Sequence, residues 1–161
     1  MTEKERFATT LATPSDQEIV ITRVFNAPPQ LVFEAWTRPE HVQHWYGTRD
    51  LTLVVCQIAL RPGKTYRYVL RDASGQEYAF SGVYREVVPY TKLVYTDSFE
   101  GMPGHEAVVT LTFEEDNGKT RLVSRSLYQS EEDRNAHLSF GMEQGMKELL
   151  SRLEEHLQTM A

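Results

Sequence analysis

The residues best placed to do chemistry are aromatic side chains that alternate along predicted strands. Tyr66 and Tyr68 share one face of a strand, because successive side chains in a strand point to opposite faces. Phe80 and Tyr84 share a face of the next strand, with Gly82 between them. Apolar rings with a few hydroxyls are typical of a small-molecule pocket. The pattern therefore predicts either ordinary core packing or a ligand cavity, and the need of buried phenols for partners or water favours the cavity.

Two glycines and two methionines extend this candidate site onto the predicted C-terminal helix. Gly141 and Gly145 lie four residues apart, and each costs about 1 kcal/mol relative to Ala within a helix. They predict either a close approach of the helix to the sheet or space for a ligand beneath it. Met142 and Met146 are flexible and suit irregular packing or an adaptable binding wall. The candidate ligand-binding residues are Trp36, Trp45, Tyr66, Tyr68, Phe80, Tyr84, Tyr95, Phe113, Gly141, Met142, Gly145 and Met146.

Other kinds of chemistry have little support in the sequence. Cys56, the single cysteine, lies in an apolar run typical of an inert thiol, and it excludes an intramolecular disulfide. His41 and His44 are spaced to share a helical face, but no carboxylate stands at a standard offset to complete a metal site. Nucleophile-elbow, phosphate-loop and dinucleotide-binding motifs are missing from the sequence. We therefore expect no metal and no cofactor, and a binding protein is favoured over an enzyme.

The composition predicts a single acidic domain. The 161 residues include 17 Lys+Arg and 23 Asp+Glu, which gives a net charge of −6. This charge disfavours a nucleic-acid partner, and no stretch approaches the roughly 20 apolar residues of a membrane span, so membrane insertion is not expected. One cysteine and an N-terminus without a signal-peptide pattern predict a cytoplasmic location. We expect a monomer or a homodimer.

The elements that position these residues follow from periodicity and turn chemistry. Residues 1–15 are polar and aperiodic, which predicts a flexible arm before a single domain over residues 16–161. A β-branched run predicts a first strand over residues 18–25, and two short helices follow, each opened by a proline. Six further strands joined by short turns predict an antiparallel meander. Their ranges are 51–60, 64–71, 77–88, 92–99, 107–115 and 120–128.

The last segment predicts one long helix. Ser130 and the three acidic residues after it are typical of a helix N-terminus. No proline intervenes before about His156, so about 26 residues form a helix of roughly 39 Å, which can lie across a whole sheet. The order of elements predicts an α+β fold. It consists of a curved, seven-stranded antiparallel sheet, two short helices after strand 1, a long C-terminal helix packed across the sheet, and an internal cavity between them.

Several short motifs, taken in order and spacing, resemble one known family. They are FNAP at residues 25–28, VFEAWT at 32–37, PEH at 39–41, Trp45, RPG at 61–63, YRY at 66–68, GVYREV at 82–87, KLVYT at 92–96, and the glycines of the C-terminal segment. Together, over about residues 17–157, they are similar to the activator of heat-shock-protein-90 ATPase homologue family. The resemblance implies a START-like, helix-grip fold whose hydrophobic cavity binds small apolar or amphipathic molecules. It also implies that Trp45 sits at the cavity mouth.

Three functions follow as expectations. The first is the binding of a small hydrophobic or aromatic ligand between the sheet and the C-terminal helix, in a stress-related or regulatory role. The second, implied by the family resemblance, is a co-chaperone that has heat-shock protein 90 as its protein partner. The third is an enzyme like the polyketide cyclases or aromatases, which share this fold and in which the pocket does much of its work by positioning the substrate.

Overall fold

Eight antiparallel strands form one sheet in the computed structural model, which describes residues 8–160. The strands are β1 (Thr10–Ala12), β2 (Glu18–Phe25), β3 (Thr52–Ile58), β4 (Thr65–Arg71), β5 (Glu77–Val88), β6 (Lys92–Phe99), β7 (Ala107–Asp116) and β8 (Lys119–Leu127). Their spatial order is β1-β2-β8-β7-β6-β5-β4-β3. The run from β3 to β8 is therefore the predicted meander, and β2 extends the sheet by pairing with β8.

Four helices accompany the sheet. They are α1 (Pro29–Thr37), α2 (Pro39–Trp45), α3 (Glu131–Ser139) and α4 (Met142–Met160). Each of α1 and α2 begins at a proline, whose missing N–H is one that a first helical turn would leave unpaired. The α+β, helix-grip prediction is confirmed by this arrangement of a sheet, two short helices and a long C-terminal helix. None of the helices within residues 8–160 is both long enough and apolar enough to cross a membrane.

The sheet has eight strands, whereas the sequence predicted seven. The additional strand, β1, lies within the predicted N-terminal arm and pairs with residues 20–22 of β2. Three residues are too few for a recognisable alternation, so the sequence pattern did not reveal the strand. Leu11 packs partly buried against the core, while its neighbours Thr10 and Ala12 are exposed. This short strand covers an edge of β2 that would otherwise present unpaired backbone groups.

The predicted single C-terminal helix is in fact two helices. Ser130 caps α3 as expected, since its hydroxyl accepts a hydrogen bond from the amide of Asp133 at 3.1 Å. The helix then ends at Phe140, and Gly141 adopts a φ of +79°, which only glycine adopts readily. Gly141 therefore lies between the two helices, and the prediction that it shares a helical face with Gly145 is wrong. A Cβ added at Gly145 would meet nothing within 4 Å, so the close approach weighed for that glycine is also excluded.

The C-terminal half of α4 is the part of the helix that lies deepest in the core. Leu150, Leu153 and Leu157 are fully buried, whereas the stripe residues nearer the start of α4 are only partly buried. Arg23 of β2 reinforces this contact, because its guanidinium donates a hydrogen bond to the carbonyl of Leu150 at 2.9 Å. The same guanidinium lies 4.7 Å from the centre of the Phe25 ring. The helix is thus held tightly at one end and less closely at the other.

A matched pair of glycine substitutions tests the break between α3 and α4. We expect Gly141→Ala to destabilise the fold by about 1 kcal/mol, because an L-residue is strained at positive φ. Gly145→Ala should stabilise it by up to about 1 kcal/mol, because the new methyl group meets no neighbour and Ala favours the helix. Denaturant-induced unfolding measures both effects. Equal effects of the two substitutions would contradict the described break.

Candidate functional site

A cavity of about 50 Å³ lies against the central strands of the meander. Its walls come from α1, from the residue after α2, and from strands β4, β5 and β6. The lining residues are Trp36, Tyr46, Tyr66, Tyr68, Tyr84, Leu93, Tyr95 and Asp97. Six of these eight side chains are aromatic, so most of the wall is ring surface. The tyrosine alternation in the sequence therefore produces the inner surface of a cavity.

Tyr66 is the centre of the aromatic wall. Its ring centre lies 5.1 Å from that of Tyr68, 5.6 Å from that of Tyr84 and 5.4 Å from that of Tyr95. Tyr46 joins the group through Tyr68, at 4.6 Å. Burial raises the pKa of all five phenols above the ordinary tyrosine value. The hydroxyls therefore stay neutral at physiological pH and act as hydrogen-bonding groups.

The Tyr66 side chain fits because the opposite residue, Gly82, has no side chain. Tyr66 and Gly82 are register partners in the β4–β5 pair. A Cβ at position 82 would lie 1.8 Å from the carbonyl oxygen of Thr96 and 2.8 Å from the Tyr66 ring. No side chain can be accommodated at these distances. Gly82 therefore lets the Tyr66 ring and the backbone of β6 approach each other.

The pairing of β5 with β6 is irregular beside this glycine. The amide of Val83 donates to the side-chain hydroxyl of Thr96, at 2.9 Å, in place of a backbone carbonyl. The carbonyl of Thr96 instead accepts a hydrogen bond from the Tyr66 hydroxyl, at 2.9 Å. A side-chain hydrogen bond thus replaces a backbone hydrogen bond between β5 and β6 at this position. The Thr96 carbonyl is thereby part of the site.

Asp97 is the one ionisable acid in the cavity wall, and its proton is coupled to Tyr66. Its carboxyl oxygen lies 2.8 Å from the Tyr66 hydroxyl, which also contacts the Thr96 carbonyl. A tyrosine hydroxyl carries one proton, and a carbonyl can only accept. In the ionised form Tyr66 donates to Asp97, whereas in the protonated form Asp97 donates to Tyr66 and Tyr66 donates to Thr96. Burial raises the pKa of Asp97, an effect opposed by the Tyr66 hydrogen bond and by the charge of His137.

Several predicted site residues lie outside the cavity wall. Trp45, expected at the cavity mouth, is 1% exposed and belongs to the core. Its indole N–H donates to the carbonyl of Ala35 at 2.9 Å, which joins α2 to α1. Phe113 is buried against Phe33, and Phe80 packs against a neighbouring ring on β6. These aromatic residues therefore pack against other parts of the protein and do not line the cavity.

The residues predicted on the C-terminal segment are also absent from the described lining. Met142 contacts the Tyr128 hydroxyl through its sulfur at 4.0 Å, and Met146 packs partly buried against the core. Gly141 and Gly145 likewise take no part in the wall of the cavity among residues 8–160. Five predicted residues do line it: Trp36, Tyr66, Tyr68, Tyr84 and Tyr95.

Three lining residues were missed by the sequence reasoning: Tyr46, Leu93 and Asp97. A signal for two of them was present, because Leu93, Tyr95 and Asp97 alternate on β6 and must share a face. An acid two residues after an aromatic residue on a strand places a polar group on the face that is otherwise apolar. Tyr46 was not among the candidate ligand-binding residues, although the family resemblance placed Trp45 and the two residues after it at the cavity mouth.

The histidines and the cysteine form no further reactive site. The Nδ1 atom of His41 lies 3.0 Å from Nε2 of His156, and His44 stacks on the same ring. Within residues 8–160, however, no group of three or more suitable side chains is arranged to hold a metal ion. Burial raises the pKa of Cys56 to about 11, so the thiol is protonated and unreactive at neutral pH.

The curved sheet, the long terminal helix and the internal cavity define a helix-grip protein of the START-like superfamily. Within it, residues 26–158 match the family described as "Activator of Hsp90 ATPase homolog 1-like protein", and the chain belongs to that family. No match is found among curated proteins.

Solved structures of similar proteins have the same fold. A crystal structure of a protein from Rhodobacter sphaeroides has a TM-score of 0.90 at 23% identity, and the match covers 94% of this chain and 99% of that one. A solution structure of a protein from Staphylococcus epidermidis has a TM-score of 0.79 at 27% identity, with 94% and 95% covered. The protein DynU16, of the dynemicin biosynthetic locus, has a TM-score of 0.66 at 24% identity, and the match covers 91% of this chain and 48% of DynU16.

The coupling of Asp97 to Tyr66 predicts a measurable titration. We expect carbon-detected NMR to show Asp97 titrating above the ordinary aspartate range, because burial disfavours its charged form. Tyr66→Phe removes a hydrogen bond that favours the ionised acid, so the pKa should rise further. A raised folded-state pKa also means that stability falls as pH rises from the ordinary aspartate pKa to the folded value, by about 1.4 kcal/mol for each pH unit between the two. Asp97→Asn should abolish this fall, and titration at or below the ordinary value would contradict the described burial.

Proposed function

We propose that this protein binds a small hydrophobic or aromatic molecule in the cavity lined by residues of β4, β5, β6 and α1. The observation that carries the proposal is the composition of the wall, in which six aromatic rings surround the space and five of them bear hydroxyls. Rings supply apolar contact area at a low entropic cost, and a few hydroxyls fix the orientation of a ligand. An ordinary core has no need of so many buried phenols.

The size of the cavity limits the ligand. Pockets that enclose drug-sized molecules have volumes of roughly 300–1,000 Å³. The cavity here is about 50 Å³, which is room for roughly three or four water molecules. A cavity that binds benzene has a volume of about 150 Å³. We therefore propose a ligand of one ring or similar size, for which the aromatic side chains move apart, and a larger molecule requires a larger movement.

The biological role is proposed from the family. A stress-related or regulatory role, in which ligand binding is the signal, fits a family described through an activator of the Hsp90 ATPase. The same description supports the co-chaperone alternative, with heat-shock protein 90 as partner. In either case we propose a cytoplasmic monomer or homodimer that has no resident cofactor.

A cyclase-like activity is a second candidate, favoured by one feature of the site. Asp97 and Tyr66 form a proton-sharing pair in the cavity wall, and such a pair can donate a proton to a bound carbonyl. The similarity to DynU16, a protein of a biosynthetic locus, supports the same candidate. Turnover of an aromatic ketone that is lost in Asp97→Asn would establish it, whereas binding without turnover would favour the binding function alone.

The binding function is tested by titrating monocyclic aromatic compounds and following backbone amide shifts. We expect shifts concentrated on β4, β5 and β6 around Tyr66 and Asp97. Leu93→Phe, which places a larger side chain in the wall, should weaken binding by at least about tenfold, a loss of about 1.4 kcal/mol. Leu127→Phe is the matched control, because that residue is 46% exposed on the sheet surface. Shifts that are absent, or that survive unchanged in Leu93→Phe, would contradict the proposal.

A further inference from the structure

We propose that the ligand of this cavity carries a protonated amine or other ammonium group, recognised by Asp97 and the surrounding ring faces. This inference rests on the proposed binding function and names the chemical class of the ligand. It follows from the charge of the wall, the orientation of the rings and the position of the Asp97 proton.

The cavity wall can supply negative charge but no positive charge. Asp97 is the only acid among the eight lining residues, and no Lys, Arg or His is among them. An ionised carboxylate in such a wall lacks a counter-ion, and a buried charge is stable only when it is paired. An ammonium ligand would provide the missing partner. A carboxylate or phosphate ligand would instead meet an acid and a set of negative ring faces.

Three of the aromatic rings that line the cavity together with Asp97 are packed against one another at different angles. Tyr66 and Tyr95 are nearly perpendicular, at 86°, and Tyr84 is inclined to them by 51° and 67°. All three rings line the cavity, and their different inclinations mean that an ammonium group in the cavity would lie beside aromatic rings of more than one orientation. Each face is the negative part of the ring quadrupole and attracts a cation, most strongly where water is excluded. A neutral ligand of the same shape would gain the apolar contact but not this attraction.

The proton on Asp97 gives ammonium binding a distinctive consequence. When Asp97 is protonated in the free protein, the acid donates to Tyr66 and Tyr66 donates to the Thr96 carbonyl, whereas the ionised acid accepts from Tyr66. An ammonium ion pairs with the carboxylate, so its binding expels any proton that Asp97 carries. A neutral ligand with a carbonyl acceptor would instead retain that proton. The titratable groups whose charge or hydrogen bonding acts on Asp97 are Tyr46, Tyr66, Tyr95, Tyr128 and His137. The phenols are neutral over the useful pH range, and His137 acts on Asp97 through its charge.

Three probes that differ mainly in charge test the inference in the full-length protein: benzylamine, benzyl alcohol and benzoate. By isothermal titration calorimetry at neutral pH, we expect benzylamine to bind at least about tenfold more tightly than benzyl alcohol, and benzoate to bind most weakly. Asp97→Asn should remove the preference for benzylamine and leave the affinity for benzyl alcohol within about twofold. Glu115→Gln removes one negative charge from an exposed site at the end of β7 and should leave the preference intact.

Proton release is the second measurement. At the pH where the NMR titration shows Asp97 to be protonated in the free protein, the heat of benzylamine binding should depend on the ionisation enthalpy of the buffer, because the proton is released. The dependence should vanish in Asp97→Asn and persist in His137→Gln.

The outcomes separate this inference from the function on which it rests. If benzyl alcohol binds as tightly as benzylamine, or if benzylamine binds without proton release, the ligand is not an ammonium compound and the binding function still stands. Preference for benzylamine that survives Asp97→Asn also overturns the inference. If none of the three probes binds or shifts the amides of β4 to β6, both the inference and the proposed function are wrong. Should Asp97→Asn fail to fold, the wild-type comparison of the three probes still decides.

Discussion

The burial of Leu150, Leu153 and Leu157 in the hydrophobic core is the constraint on which the rest of the structure depends. Each fully buried leucine contributes about 1.5–3 kcal/mol, so this end of α4 is anchored firmly in the core. Arg23 adds a hydrogen bond to the same part of the helix. None of the eight residues that line the cavity belongs to α4. The cavity is therefore lined by the strands, by α1 and by the residue after α2 rather than by the C-terminal helix.

The site lies where the sheet departs from regular pairing. Gly82 has no side chain, so the strands approach closely. The Val83 amide donates to the Thr96 hydroxyl, and the Thr96 carbonyl accepts from the Tyr66 hydroxyl. A regular ladder in the middle of a sheet would be more stable, and departures of this kind concentrate at functional sites. The irregular segment also brings Asp97 into an otherwise aromatic wall. The same few residues thus form the cavity and supply its only charge.

Most of the fold could be predicted from the sequence because it depends on local patterns. Alternation located the tyrosine wall, and short turns located the meander. The break at Gly141 could not be predicted, since a glycine with helical neighbours is compatible with a helix until its φ is known. Trp45 was misplaced because the bond from its indole to the Ala35 carbonyl depends on tertiary structure. Asp97 could have been predicted as a site residue, because its alternation with Tyr95 on β6 is visible in the sequence alone.

A crystal structure of the protein grown with benzylamine tests the central claim most directly, namely that the aromatic cavity is the binding site and Asp97 its polar anchor. We expect the benzyl ring among Tyr66, Tyr84 and Tyr95, with the amine nitrogen within about 3 Å of an Asp97 carboxyl oxygen. The Tyr66 hydroxyl should remain bonded to that carboxylate. An empty cavity at saturating benzylamine, or a ligand bound only on the outer face of the sheet, would contradict the claim.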